Sequence, residues 1–203
     1  MTRFKLTYFD IDGGRGEAIR LALHIGGIEF EDVRLTFAEF RESRQSFPFK
    51  ALPVLEIDDQ PVTQSNSLAR YVGKRVGLYP TDDLQALYCD EAMDAVEDLS
   101  HAIGNTFGLK DDDLKQAREK LVQGPLATIN KGLDGLLARG GGQYFADGRM
   151  TVADLKVFVQ TRALTAGVLD HVPTDVVEGL APSLAQHCGR ITNDPRVAAY
   201  YSR

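Results

Sequence analysis

The stretch Leu52-Pro53-Val54-Leu55-Glu56-Ile57 runs through Asp58-Asp59 to Val62-Thr63-Gln64-Ser65, and it constrains the chain more than any other. A short apolar run headed by a proline, an acidic turn and a second short run read as a hairpin followed by a helix start. A proline inside a central strand would delete a ladder hydrogen bond, so Pro53 belongs at the strand's first residue or in a tight turn. With a cis Leu52–Pro53 bond, the backbone polar groups of Leu52 would face away from the sheet and be free to pair with an extended peptide. Downstream, Asn66-Ser67-Leu68-Ala69-Arg70-Tyr71-Val72 has the apolar spacing of a helix. The free N–H groups and the Ser65 hydroxyl at its start would attract an anion such as a carboxylate. One stretch thus offers a peptide-pairing edge and a carboxylate site; the plain alternative is a hairpin and a capped helix with no ligand.

Upstream, Phe4, Leu6 and Tyr8 alternate with Lys5 and Thr7, a period-two strand with Tyr8 at its carboxyl end. A break at Asp10-Ile11-Asp12-Gly13-Gly14 precedes a helix from about Arg15 to Ile25, stopped by Gly26-Gly27. Val33-Arg34-Leu35 reads as a second strand, and a short polar helix covers Ala38 to Gln45. The order β-α-β-α-β-β-α predicts a four-stranded sheet in which a parallel βαβ unit joins an antiparallel hairpin. Pro80 marks a boundary, with Thr81 placed to cap a new helix. The expected division is 1–78 as an α/β unit and 82–203 as an all-α unit. Helices are predicted at about Asp82–Phe107, Asp111–Leu137, Val152–Thr165, Val176–Cys188 and near Arg196. Thr151 stands three residues before Asp154, the spacing of a structural capping box.

Composition narrows the function classes. The chain has 203 residues and a formal charge of −6, which argues against nucleic acid or an anionic membrane as the main partner. No apolar run is long enough to span a bilayer. The start Met1-Thr2-Arg3-Phe4-Lys5 lacks the apolar block of a signal peptide, so a cytoplasmic location is expected. Cys89 and Cys188 read as buried small residues rather than a disulfide. His24, His101, His171 and His187 show no zinc spacing, so no metal is expected. Gly14-Arg15-Gly16 fails as a dinucleotide loop because Ile19 holds the third glycine position. Gly140-Gly141-Gly142 reads as a helix-joining loop, since no GK[ST] follows.

Tyr8 has two readings. A strand-end tyrosine is commonly part of the core, but ligands of α/β sheets bind outside the carboxyl ends of strands, where Tyr8 and the glycine-rich turn before Arg15 lie. A phenol donates a hydrogen bond well, and a thiolate accepts one. A free thiol ionises near about 8.5, so a Tyr8 hydroxyl and an Arg15 charge could favour its thiolate at neutral pH. The competing reading of Arg15 is a surface charge in the first helical turn.

Tyr8, the turn into Arg15-Gly16-Glu17, Leu52-Pro53-Val54-Leu55, Gln64-Ser65 and Thr151-Val152-Ala153-Asp154 occur in an order that resembles the cytosolic glutathione transferases over nearly the whole chain. Phe4-Lys5-Leu6-Thr7-Tyr8-Phe9 and Phe47-Pro48-Phe49 look most like the sigma class, which includes prostaglandin D synthases and lens crystallins. The resemblance implies a thioredoxin-like N-terminal domain that binds glutathione, an all-helical C-terminal domain that contributes a hydrophobic pocket, and a homodimer. It implies that Tyr8 stabilises the glutathione thiolate, with Arg15 close by. The backbone of Leu52, before a cis Pro53, would pair with the cysteinyl part. Gln64 and Ser65 would hold the γ-glutamyl end, and Asp98 would reach the amine of the glutathione bound to the partner subunit. Arg44 stands near the expected glycyl carboxylate, where sigma proteins commonly carry lysine. Asp154 matches a buried acid whose role is folding.

The departures from the family pattern carry expectations too. Phe40 replaces a tryptophan, so an indole N–H to the glycyl carboxylate is lost. Lys50-Ala51 stands where a Gly-Lys pair is common, which moves that contact to Lys50. The turn after the first strand is one residue longer, beside Asp10 and Asp12. Lys156 and Gln160 occupy pocket positions that are aromatic and cysteine in sigma prostaglandin synthases, so prostaglandin isomerase activity is not expected. The absence of a CxxC after the first strand argues against disulfide exchange. The expected activity is conjugation of glutathione to small hydrophobic electrophiles held near Phe9, Ile11, Gly14, Ile103, Phe107, Lys156 and Gln160. The alternatives are a non-catalytic protein binding glutathione or hydrophobic ligands on the same fold, and a glutathione-dependent isomerase or peroxidase.

Overall fold

The computed structural model describes residues 2–203. Four strands, β1 (Phe4–Phe9), β2 (Glu31–Leu35), β3 (Val54–Ile57) and β4 (Gln60–Thr63), form one sheet in the order β2-β1-β3-β4. β1 runs parallel to β2 and antiparallel to β3, and β4 completes the hairpin. The crossover between β1 and β2 is α1 (Gly14–Ile25). Leu6 and Leu55 pair across the two central strands and are fully buried. Lys5 faces Glu56, where their side chains form an ion pair of 2.8 Å. Pro61 sits on the edge strand, where its missing N–H costs no ladder bond. The β3–β4 turn is a two-residue loop with Asp58 and Asp59 both at positive φ, a conformation aspartate tolerates and tight hairpins need.

After α2 (Phe37–Ser43), two short 3-10 turns lead to a cis Leu52–Pro53 bond at the head of β3. α3 (Ser65–Arg75) follows the hairpin. α4 (Asp83–Gly104) begins the helical half and is capped by Asp82, whose side chain accepts from the N–H groups of Leu84 and Gln85. The expected cap, Thr81, lies one residue too early for that geometry.

α7 (Val152–Thr165) has the predicted bounds and is buried almost all round from Val152 to Val159. An all-buried helix belongs at the centre of a bundle. α7 packs against α1, α4 and α9 (Pro182–Thr192), so it joins the helical half to the sheet's own helices. Its capping box is formed: Asp154 Oδ2 accepts from Thr151 N–H and Thr151 Oγ1, each at 2.8 Å.

Two predicted helices are interrupted, both at proline. The helix expected over 111–137 is α5 (Asp111–Leu121), a π-helical turn over Val122–Leu126, and α6 (Ala127–Arg139). Pro125 has no N–H and its ring crowds the carbonyl four residues back, and the wider turn absorbs that clash. The helix expected over 176–188 is α8 (Val176–Leu180) and α9, with Pro182 opening the second and Ala181 out of the helical region before it. α10 (Pro195–Tyr201) ends the fold. Both cysteines are free, Cys89 buried and Cys188 half-buried. A four-stranded α/β unit followed by an all-helical unit is the expected fold class.

Candidate active site

The end of β1 meets the start of α1 at Tyr8. The side chain is 5% exposed, and its hydroxyl accepts the Arg15 backbone N–H at 2.9 Å. The phenol therefore satisfies one of the free donors that open a helix. Glycine is required on both sides of this contact. Gly14 has φ +67°, and a Cβ there would lie 2.5 Å from Tyr8 Oη; a Cβ on Gly16 would lie 2.4 Å from Tyr8 Cγ. Burial pushes the Tyr8 phenol up from its ordinary value, against the lowering effect of the Arg15 N–H. The hydroxyl therefore keeps its proton at neutral pH, accepts one hydrogen bond and can donate another.

Arg20 holds this corner from behind. Its guanidinium is fully buried and donates to Phe9 C=O at 3.2 Å, Ile11 C=O at 3.0 Å and Asp32 at 2.8 Å. It also lies 5.7 Å from the centroid of the Tyr8 ring. The sequence reading missed Arg20, although Glu17-x-x-Arg20 has the one-turn spacing of a helical ion pair, observed at 3.3 Å.

A cleft of about 540 Å³ opens beside α1, between the loop before β3 and the N-terminus of α3. That size is ordinary for a small-molecule site. Arg15, Leu52, Pro53, Gln64 and Ser65 line it, as do Asp94, Glu97 and His101 of α4. Neither backbone polar group of Leu52 has a partner among the described residues. Gln64 has φ 74° and ψ 103°, a conformation that L-residues avoid, immediately before the first turn of α3. Such strain persists where the surroundings impose it, and it concentrates at ligand sites.

Glu97 is the member of the site with no sequence signal, since it flanks the buried stripe of α4 rather than breaking it. One of its oxygens pairs with Arg15 Nε; the other accepts from Ser65 Oγ at 2.9 Å and Lys156 Nζ at 2.8 Å. Burial alone would push the Glu97 carboxyl up, but Lys156 and Arg15 prevail and hold it down at about 2. Its contribution to stability is fully present above its ordinary value of about 4.3 and is lost as pH falls towards about 2. The stability difference between wild type and Glu97→Gln, measured by chemical denaturation, should therefore shrink steadily from about pH 5 to about pH 2. A difference that stayed constant across that window would show that the carboxylate is not held ionised.

The remaining expected residues are dispersed. Asp98 is exposed on α4, next to Glu97 but outside the cleft lining. Phe40 packs edge-on against Phe9 and stacks on Phe47. Arg44 is exposed and donates to the Lys50 carbonyl at 3.1 Å, tying together the loop that carries the strained residues Phe49 and Lys50. Ile11 is 38% exposed and Phe107 66% exposed, while Ile103 is buried. Gln160 accepts from Ser100 Oγ at 3.2 Å. Lys156, expected in the hydrophobic pocket, has its ammonium on Ser65, Asn66 and Glu97. A larger open groove of about 1240 Å³ lies elsewhere, along Arg3, His24, Arg75 and Arg203. Four of its charged residues form two half-exposed or exposed pairs, Arg3 with Asp59 and Lys5 with Glu56, as on a solvated surface.

The sequence and the fold match known proteins. The family model described as glutathione S-transferase, N-terminal domain, matches residues 4–74, and that of the glutathione S-transferase C-terminal domain matches residues 97–203. Glutathione S-transferase 3 of Caenorhabditis elegans is 30% identical over 176 residues, 84% of each chain. Hematopoietic prostaglandin D synthase of Gallus gallus is 30% identical over 155 residues, 76% of this chain and 75% of that one. The structure of a prostaglandin synthase D from Nilaparvata lugens superposes with a TM-score of 0.87 at 26% identity, covering 99% of this chain and 98% of the other. The chain belongs to the glutathione S-transferase family. Its sheet and the helices around it are the family's thioredoxin-like N-terminal domain, and the helical half is its C-terminal domain. Among the described residues, no helix is long and apolar enough to cross a membrane.

Proposed function

We propose that this protein is a Tyr-type glutathione transferase that adds the glutathione thiolate to small hydrophobic electrophiles. One observation carries the reading: Tyr8 Oη sits at the N-terminus of α1, already oriented by the Arg15 N–H at 2.9 Å, where burial pushes its phenol up from the ordinary value. In this reading Tyr8 donates to the thiolate and Arg15 adds positive charge. The unpaired Leu52 backbone before Pro53 takes the cysteinyl unit, and Gln64 and Ser65 take the γ-glutamyl end. Arg44, Lys50 and Phe40 face the glycyl end. Phe9, Ile11, Gly14, Ile103, Phe107 and Gln160 frame the second substrate. Most of the acceleration comes from forming the thiolate and placing two reactants together.

The division we assign is 1–78 for glutathione and 82–203 for the hydrophobic pocket, in a cytoplasmic, sigma-like homodimer in which Asp98 reaches across to the partner's glutathione. Calorimetry with glutathione, followed by conjugation to a generic aryl halide, tests the reading. Binding with turnover is the expected result. Binding without turnover on any electrophile would make the chain a non-catalytic ligand carrier. Turnover confined to isomerisation or peroxide reduction would keep the thiolate site and change the reaction.

A further inference from the structure

Lys156 stands in the middle of α7, where nearly every neighbouring side chain is apolar and buried, and it is itself only 4% exposed. Lysine is almost never buried without a partner. Its partners are all at the inner end of the cleft: Glu97 Oε2 at 2.8 Å, Ser65 Oγ at 3.3 Å, and Asn66 Oδ1. Ser65 and Asn66 are the first two residues of α3, so an ammonium from the C-terminal domain is tied beneath a helix start of the N-terminal domain. Lys156 does not line the cleft, whereas Arg15, Ser65 and Glu97 do.

The charges at this end are Arg15 and Lys156, both positive, against Glu97 and Asp94, both negative. Without Lys156, Glu97 would cancel Arg15, and Asp94, which also lines the cleft, would leave that end negative. With Lys156, these four charges balance, and the positive end of the eleven-residue α3 is left unopposed by a net negative charge. Lys156 also frees the Ser65 hydroxyl. That hydroxyl donates to Glu97 Oε2, the same oxygen that Lys156 satisfies, so it can turn to an incoming carboxylate without leaving Glu97 unpartnered.

We propose that Lys156 is a positioning residue that makes the inner end of the cleft a receptor for the γ-glutamyl carboxylate, by neutralising Glu97 from behind and so removing the net negative charge that would otherwise oppose the carboxylate at Arg15 and the α3 start. This rests on the glutathione reading above. It acts on binding rather than on the thiol, so its signature is a split between KM and kcat.

The test compares wild type, Lys156→Met and the double variant Lys156→Met/Glu97→Gln, titrated with glutathione and with cysteinylglycine, which lacks the γ-glutamyl group. Lys156→Met should weaken glutathione binding about tenfold or more. It should raise KM with little change in kcat at saturating glutathione, and leave cysteinylglycine affinity unchanged. The double variant removes both the lysine and the carboxylate it neutralises, so it should recover glutathione affinity to within about threefold of wild type. It also carries no unpaired buried carboxylate, and it decides the matter if the single variant does not fold. A single variant that binds glutathione as tightly as wild type, or a double variant weakened about tenfold or more, would make Lys156 a packing residue and overturn the proposal. Wild-type protein that binds no glutathione would overturn the functional reading and this proposal together; failure in the variants alone would overturn only the proposal.

Discussion

Tyr8→Phe is expected to lower kcat/KM for conjugation about 100-fold or more, the usual cost of deleting one positioned donor to a developing or stored negative charge. The substitution keeps the ring, and the ring is what packs beneath Gly14 and Gly16. The fold and the cleft lining of Arg15, Leu52, Gln64 and Ser65 should therefore survive, and glutathione affinity should stay close to wild type. What is lost is the hydroxyl, which accepts the Arg15 N–H and has a proton of its own to donate. A phenol with a depressed pKa would itself ionise and repel a thiolate; Tyr8 is shifted the other way by burial, which suits a donor. Steady-state turnover with an aryl halide, alongside calorimetric affinity, separates the two effects. Full turnover in the variant would place the thiolate's hydrogen-bond donor elsewhere.

Asp154→Ala should be the most damaging single substitution for stability, costing about 3–5 kcal/mol. The carboxylate is fully buried and accepts from Phe145 N–H at 3.1 Å, Thr151 N–H at 2.8 Å and Thr151 Oγ1 at 2.8 Å. His187 Nε2 lies 3.0 Å away, also fully buried. Alanine would orphan these groups in the interior and remove the cap of α7, the helix on which α1, α4 and α9 pack. A fall in Tm of about 10 °C or more is expected, with denaturant unfolding giving the free energy. Because α7 also carries Lys156, surviving protein should show weakened glutathione binding as well. A loss below about 1 kcal/mol would mean that Thr151 alone caps the helix.

The two halves of the chain were not equally legible. The Leu52–Ile57 run, its acidic turn and the following helix start are local signals, and the hairpin, the α3 start and much of the cleft lining lie where those signals put them. α7 was recovered to the residue because its capping box and apolar run are both local. The prolines at 125 and 182 divide helices that apolar spacing alone had joined, although a missing N–H at either position was readable in advance. Glu97 and Lys156 were not legible in the same way. Glu97 is polar on a helix flank, where polar residues are ordinary, and the partner that gives it meaning is 59 residues away. Lys156 was visible as an anomaly in an apolar helix, but only the packing of α7 beneath α3 turns it from a pocket-lining residue into a buried counter-charge.

The ionisation of bound glutathione measures the role of Tyr8 most directly. Thiolate absorbance in the near ultraviolet, followed across pH for wild type and Tyr8→Phe at saturating glutathione, gives the pKa of the bound thiol in each. With Tyr8 donating, the wild-type complex should ionise about one to two units below the value of about 8.5 for a free thiol, and Tyr8→Phe should return it close to that value. The same pKa in both proteins would contradict a Tyr8-stabilised thiolate.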